Sequence, residues 1–269
     1  MLTFLFWNLK GNRPDLAANL VRHHGVDILM LAECPTVPAN MLEALNRPSA
    51  EFSYLYEDHP KLAIYSRFAD RWLRPIGKGN DYTIKEIALL ERPALLLCVV
   101  HFPSKLYRTA EDQWSYTTTF CNSVLASAEK DAGHNRTIIV GDLNMNPYET
   151  ALVAANAFHA VPTRAIASRE RRTVKFESNR YFYNPMWRHF GERPQGHSGT
   201  YYLASPKTRA DFWNIYDQVL LRADVLEYFP RQEVDVLHED TASGTSLLRR
   251  GIPDDEISDH LPILFRLEI

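Results

Sequence analysis

Polar residues able to do acid–base or cation chemistry sit at the edges of hydrophobic runs throughout this sequence. Asn8 closes LTFLFWN, Glu33 follows DILMLA, His101 closes ALLLCVVH, and Asp142 and Asn144 come just after TIIV. Asp259-His260 immediately precede the final run, LPILFRLEI. Carboxylates take up protons and hold hard cations, imidazoles carry protons near neutral pH, and amides orient both without adding charge. One acid at the end of an apolar run is most often a turn or capping residue. Five such coincidences in one chain point to a shared site, because ligand sites in α/β proteins collect where strands end and loops converge.

The runs that carry these residues read as strands. Residues 2–7 form a short buried strand ending at Asn8, and Pro14-Asp15 opens a helix with Leu16, Ala17, Leu20 and Val21 on one face and Gly25 as its stop. Residues 27–32 form a second buried strand that delivers Glu33. Strand patterns follow at 52–57, 61–66, 72–76, 82–90 and 94–101, with short polar breaks that predict antiparallel neighbours. A helix over 110–132 would face inward through Trp114, Thr118, Cys121, Val124, Leu125 and Ala128. Strands recur at 137–140, 216–221, 233–237 and 261–267, and a short helix is expected after Pro147. Residues 159–210 and 239–258 look irregular. Without an internal repeat, the pattern predicts a single α/β domain over 1–269, two packed sheets with helices outside them, and an Arg/aromatic-rich insertion around 160–210.

Composition bounds the function. At 45% apolar and 23% charged residues, the chain is neither disordered nor fibrous. A net charge of −3 gives no overall basic balance, so a polyanion partner would need a local patch. Cys34, Cys98 and Cys121 lack close pairing or metal-type spacing and read as free thiols of a reducing compartment. The apolar start has no basic leader region, and no run approaches the ~20 residues that cross a bilayer, so a cytoplasmic protein is expected.

The segments FWN (6–8), LAE (31–33), HFP (101–103), GDLN (141–144), YDQVL (216–220) and SDHLP (258–262) occur in an order that resembles the endonuclease/exonuclease/phosphatase superfamily. That superfamily includes pancreatic-type deoxyribonucleases and exonuclease III-type abasic-site endonucleases. The motifs span nearly the whole chain, and GDLN followed at long range by SDHLP is the most specific of them. The resemblance implies a deoxyribonuclease I-like α/β fold, a four-layered sandwich of two mixed β-sheets flanked by helices. It also implies a Mg²⁺-dependent phosphodiester hydrolase, with Mn²⁺ as a possible substitute.

Roles follow from the resemblance together with the chemistry of phosphodiester hydrolysis. That reaction needs a nucleophilic water, neutralisation of charge on the phosphoryl oxygens and help for the leaving oxygen. Glu33 is expected as metal ligand, with Asn8 holding it or a metal water and Asp259 facing the metal side. Asp142 would align or deprotonate the attacking water, and the Asn144 amide would donate to a phosphoryl oxygen. Asp217 and His260 would pair, fixing the ring's tautomer, and His101 is a second phosphate-binding imidazole. Asn146 is expected in a supporting or turn role. Some relatives carry an additional acid two residues after the first-strand Asn; Lys10 stands there instead, and could contact a phosphate.

The substrate is less directly legible, because this fold serves DNA, RNA, phosphoinositides and sphingomyelin. Residues 163–193 hold eight basic residues against three acidic ones, about +5 locally, with Phe176, Tyr181, Phe182, Tyr183 and Trp187 interleaved. Arginine beside stackable rings is how proteins grip backbone phosphates and exposed bases. Arg171, Arg172, Lys175, Arg180, Tyr183 and Trp187 are therefore the expected substrate contacts, the alternative being a basic face with a few core aromatics. A nuclease, with DNA slightly ahead of RNA, is the leading expectation. A phosphatase or phosphodiesterase of phosphoinositides or other small phosphate esters is the alternative, and a binding module without catalysis the third. Oligomeric state and protein partners are left open by the sequence.

Overall fold

The computed structural model describes residues 1–55, 59–105, 109–191, 198–205, 210–230 and 234–269. The end of the strand expected at 52–57, the first residue of that at 233–237, and Glu192 and Arg193 of the basic segment lie outside the described residues. The chain begins β1 (Leu2–Asn8), α1 (Pro14–His24), β2 (Ile28–Ala32), α2 (Pro38–Leu45), β3 (Ser53–Tyr54) and β4 (Leu62–Ser66). It continues through β5 (Leu73–Lys78), β6 (Tyr82–Ile87), β7 (Leu95–His101), α3 (Ala110–Thr119), α4 (Ala126–Ala132), β8 (Thr137–Asp142) and α5 (Thr150–Val153). Small elements follow: β9 (Ala160–Val161), α6 (Arg164–Ala167), β10 (Arg171–Val174), β11 (Glu177–Arg180), β12 (Phe182–Tyr183), β13 (Tyr201–Tyr202) and β14 (Trp213–Asn214). Next come β15 (Asp217–Arg222), β16 (Val234–Val236) and two short ladders, β17 (Glu239–Asp240) with β18 (Thr245–Ser246) and β19 (Leu248–Arg249) with β20 (Ile252–Pro253). The last strand is β21 (Ile263–Leu267).

Two mixed sheets form the centre. One runs β16, β21, β1, β2, β4, β3 and the other β5, β6, β7, β8, β15, β12, β9. β1 pairs parallel with β2 and antiparallel with β21; β7 pairs parallel with β8 and antiparallel with β6. The central strands are apolar on both faces because both faces are covered. Phe4, Phe6, Met30 and Ile263 of the first sheet meet Leu97, Val99, Val140 and Val219 of the second in the inter-sheet core. The alternate residues point the other way. Leu5, Trp7, Leu29 and Leu31 pack on α1 and α2, while Leu96, Cys98, Ile139 and Leu220 pack on the α3–α4 side. The layers are therefore helices, sheet, sheet, helices, as the motif resemblance predicts. Among the described residues no helix is long and apolar enough to cross a membrane.

Two expectations differ from the structure. The helix over 110–132 is interrupted by a π turn at Phe120–Leu125. Its upstream half buries Gln113 and Thr117, leaving Trp114 36% exposed and Thr118 only half-buried, whereas Cys121, Leu125 and Ala128 face inward as expected. A π turn takes an extra residue, so the inward face upstream of it shifts by one position. The described residues of 159–210 are also not one long loop. They extend one side of the second sheet by β12 and then the edge strand β9, and raise a separate hairpin, β10–β11. Cys34, Cys98 and Cys121 are free, the last two buried.

Candidate active site

Strand alternation does most of the positioning. Asn8 continues the inward row of Phe4 and Phe6, His101 that of Leu97 and Val99, Asp142 that of Ile138 and Val140, and Asp217 that of Val219 and Leu221. Each row ends in a polar residue at the same edge of the inter-sheet core. In the strand register His101 stands beside Asp142, and Asp217 stands on its other side. From the opposite sheet the Asn8 amide Nδ2 donates to Asp142 Oδ2 at 3.1 Å, so this hydrogen bond bridges the two sheets. The strand carrying Asp142 comes close to its neighbour at Gly141. Gly141 has φ 148°, and a Cβ there would lie 1.9 Å from the Val100 carbonyl oxygen, so only glycine fits.

Asp142 is the centre of the cluster. Its Oδ1 accepts the Asn144 backbone N–H at 2.8 Å, and its Oδ2 lies 3.8 Å from His101 Nε2 and 3.9 Å from His260 Nε2. Burial pushes this carboxyl above the usual range; His260 and His101 draw it back and Asp217 pushes it up again. His260 Nδ1 and Asp217 Oδ2 are 2.8 Å apart, which fixes the ring with its proton on Nδ1. Burial alone would discharge this imidazole, but Asp217, Asp142 and Asp259 overcome it and lift the ring to about 9. The His260 backbone is held as well. Trp7 Nε1 donates to its carbonyl at 2.9 Å, and its N–H donates to Ser258 Oγ at 3.2 Å. Ser258 Oγ in turn donates to the Asn8 carbonyl at 2.6 Å. The Tyr201 ring stands 4.7 Å from the imidazole, and Thr200 Oγ1 accepts the Asp217 N–H at 3.1 Å.

At the mouth of the cluster Glu33 adopts φ 51°, a left-handed conformation that turns the chain sharply after β2. Its carboxylate accepts from His101 Nε2 at 3.1 Å, and that bond lowers its affinity for a proton despite partial burial. Lys10 Nζ lies 3.2 Å from Asp259 Oδ2, and this contact raises the Lys10 ammonium further. The residues fit a hard divalent cation on two grounds. Glu33 and Asp259 offer carboxylate oxygens that remain partly exposed, and Asn8 Oδ1 is a buried acceptor with no partner among the described residues. The tightest group of potential ligands among the described residues is a different one, Asp142, Asp217 and His260, whose ligand atoms lie within 4.8 Å of one another. There His260 Nδ1 is already committed to Asp217, so the group reads as a carboxylate–imidazole pair beside a second carboxylate.

Other expected site residues divide. Asn144 sits at the cluster with φ 52°, but its Nδ2 donates to the Phe102 carbonyl at 2.9 Å, leaving one N–H of the amide for a ligand. Asn146 is buried in scaffolding, donating to Asn214 Oδ1 at 2.8 Å and accepting the Ile215 N–H at 2.9 Å. The basic segment is not brought to Asp142. Arg171, Arg172, Lys175 and Arg180 belong to the β10–β11 hairpin, and Arg171 and Arg180 line a groove with Arg222 and residues just before β8. That is the opposite end of β8 and β15, about 17 Å away for five strand steps. Tyr183 packs against Phe229 with Arg164 over its ring, and Trp187 is half-buried in a 3-10 turn. Thr200, Tyr201 and Ser258 were not legible as site residues. Only Ser258 lies in a motif, and short polar residues that bond to backbone leave no periodic signal.

No known protein-family profile and no curated protein sequence matches the chain. Solved structures match it in fold over nearly its full length. An endonuclease/exonuclease/phosphatase family protein from Bacteroides thetaiotaomicron aligns with a TM-score of 0.59 at 13% identity, covering 99% of this chain and 94% of that one. TDP2 from D. rerio, complexed with a single-strand DNA product, aligns with a TM-score of 0.55 at 16% identity, covering 100% and 99%. The endonuclease domain of TRAS1, a telomere-specific non-LTR retrotransposon, gives a TM-score of 0.56 at 12% identity over 100% and 99%. The fold is thus the deoxyribonuclease I-like sandwich that the motif order implied.

Proposed function

We propose that this chain is a Mg²⁺-dependent phosphodiester hydrolase acting on nucleic acid, with DNA preferred over RNA and Mn²⁺ able to substitute. The observation that carries the reading is Asp142, a buried carboxylate set between two imidazoles and an inter-sheet amide, beside a charged His260–Asp217 pair. Such a site suits attack by water on an anionic ester. Ser258, a hydroxyl within the cluster, is spent on backbone bonds in both directions and is unsuited to be the nucleophile.

His260, held as imidazolium by Asp217, would bind a non-bridging phosphoryl oxygen and stabilise charge that grows in the transition state. Asp142, its proton affinity raised by burial, would orient the water and take its proton. His101 would fix the Glu33 carboxylate through Nε2 and stand beside Asp142 on the side where the phosphate binds. Glu33, with Asn8 and Asp259, would hold Mg²⁺, which when bound supplies neutralisation of the phosphoryl oxygens. Neighbours of the same fold include a structure with a DNA product and an endonuclease domain, which supports nucleic acid as the substrate class. We read the whole chain as one catalytic unit, since the residues assembled here come from β1 through the segment before β21.

A panel of plasmid DNA, DNA and RNA oligonucleotides and inositol phosphates, each with Mg²⁺, Mn²⁺ or EDTA, tests the proposal. Cleavage of nucleic acid that EDTA abolishes, and that Glu33→Gln and His260→Ala lose, is the expected result. Phosphate release from an inositol phosphate with no nicking of DNA or RNA would overturn it.

A further inference from the structure

The basic segment that stands apart from Asp142 has its own architecture. Between the β10–β11 hairpin and α4 lies a groove of about 470 Å³. Arg171, Arg180, Lys130 and Arg222 line it, and Glu129 is the acid among its walls. Glu129 is occupied by Arg222, at 2.8 Å, and by Thr137 Oγ1, at 2.9 Å. No ion pair with a described residue neutralises Arg171, Arg180 or Lys130. In the hairpin register Arg171 stands directly opposite Arg180. Like charges facing one another across a ladder repel, an arrangement that an anion between them would relieve.

The hairpin tip adds a second, independent feature. Lys175 and Phe176 both adopt positive φ, 48° and 71°, and the Phe176 ring is 102% exposed. A bulky side chain in that backbone region is unfavourable, and a fully solvated phenyl ring contributes nothing to the core. Glycine or asparagine would make the same turn more easily. The tip therefore presents an aromatic face, about four strand steps of ~3.3 Å from the Arg171–Arg180 pair.

We propose that the hairpin and its groove form a second nucleic-acid contact, remote from the scissile phosphate, that holds a single-stranded segment. Lys130, Arg171 and Arg180 take the backbone phosphates and Phe176 stacks on an unpaired base. Cations along a groove beside an exposed ring are the chemistry of single-strand binding, in which every base offers a face to stack on. A duplex would offer the phosphates but keep its base faces buried. The contact draws its purpose from the nuclease reading above, but binding can be measured without cleavage.

The test uses the full chain carrying Asp142→Asn, to prevent cleavage, and a fluorescent single-stranded DNA oligonucleotide followed by anisotropy over a salt series. Arg171→Gln with Arg180→Gln should weaken binding about tenfold or more and flatten the log–log salt slope by roughly 1.4, at about 0.7 per phosphate contact. Phe176→Ala should weaken it at least about fivefold with the slope unchanged. Arg171, Arg180 and Phe176 are on a surface hairpin, and thermal midpoints matching that of the Asp142→Asn parent will show that the variants are folded. Parent-like affinity and slope in both variants would overturn the proposal, as would tighter binding of a duplex of equal length. Displacement of the oligonucleotide by polyglutamate at equal charge would overturn it too. Should wild type cleave no nucleic acid while these variants still lose binding, the nuclease reading fails and this contact stands. Cleavage by wild type with unaltered binding in the variants fails this contact alone.

Discussion

Asp142 and Asp217 stand directly opposite one another in the β8–β15 register, two buried carboxylates with the His260 imidazole against both. Paired like charges destabilise a sheet, so the ring is what makes the arrangement tenable. Replacing Asp217 by Asn removes the partner that contributes most to His260's charge. The His260 ring should then titrate well below about 9 by NMR, and kcat should fall by roughly 10²–10⁴. An unmoved titration would show that Asp217 does not hold the charge.

Glu33 is expected to carry most of the divalent-cation affinity. Glu33→Gln keeps the shape and the left-handed backbone but removes the charge, and should weaken Mn²⁺ binding in calorimetry about tenfold or more. Equal affinity in the variant would move the cation site toward Asp142 and Asp217.

Lys10 competes for the Asp259 carboxylate. With Lys10 largely exposed, the pair contributes less than ~1 kcal/mol to stability. Lys10→Met should leave the thermal midpoint within a few degrees and tighten divalent-cation binding severalfold. Weaker cation binding in the variant would contradict the competition.

Gly141→Ala should be far more damaging than its size suggests. The added methyl would meet the Val100 carbonyl at 1.9 Å in a backbone conformation that alanine avoids. A loss of about 3 kcal/mol or more is expected from denaturant midpoints.

Stability should peak near neutral pH, with a different cause on each side. Burial holds His24, His134 and His159 below their ordinary value of 6.5. Below that value the unfolded chain binds more protons, so stability is lost as the pH falls. His260 is raised to about 9, so the folded state binds the extra proton between 6.5 and 9 and stability declines as pH rises through that window. Unfolding midpoints should show both limbs, with His260→Gln flattening the alkaline one.

The parts legible in the sequence are those governed by period and by fixed motif. The strands carrying Asn8, Glu33, His101, Asp142 and Asp217 follow from apolar runs, and the same two-residue period puts Asn8, His101, Asp142 and Asp217 each on the core-facing side of its own strand. Two-residue strands such as β9, β12 and β13 are too short to carry a pattern. The helical phase at Trp114 failed because a π turn lies downstream. Arg171 and Arg180 illustrate a different limit: composition reveals a basic segment, but only the pairing of β12 with β15 shows which end of the sheet it decorates.

Because Asn8, His101, Asp142 and Asp217 all occupy inward positions of alternating strands, their chemistry depends on counting. Removing one residue within β8 would turn the Asp142 carboxylate away from Asn8 and toward the helices, and would offer the cluster its neighbour instead. Equivalent slips in β1, β7 or β15 would do the same from the other three directions. Loops between these strands can lengthen or shorten without that penalty. Divergent descendants of such a chain can therefore rebuild nearly all of its surface while inheriting the polar cluster as a spacing.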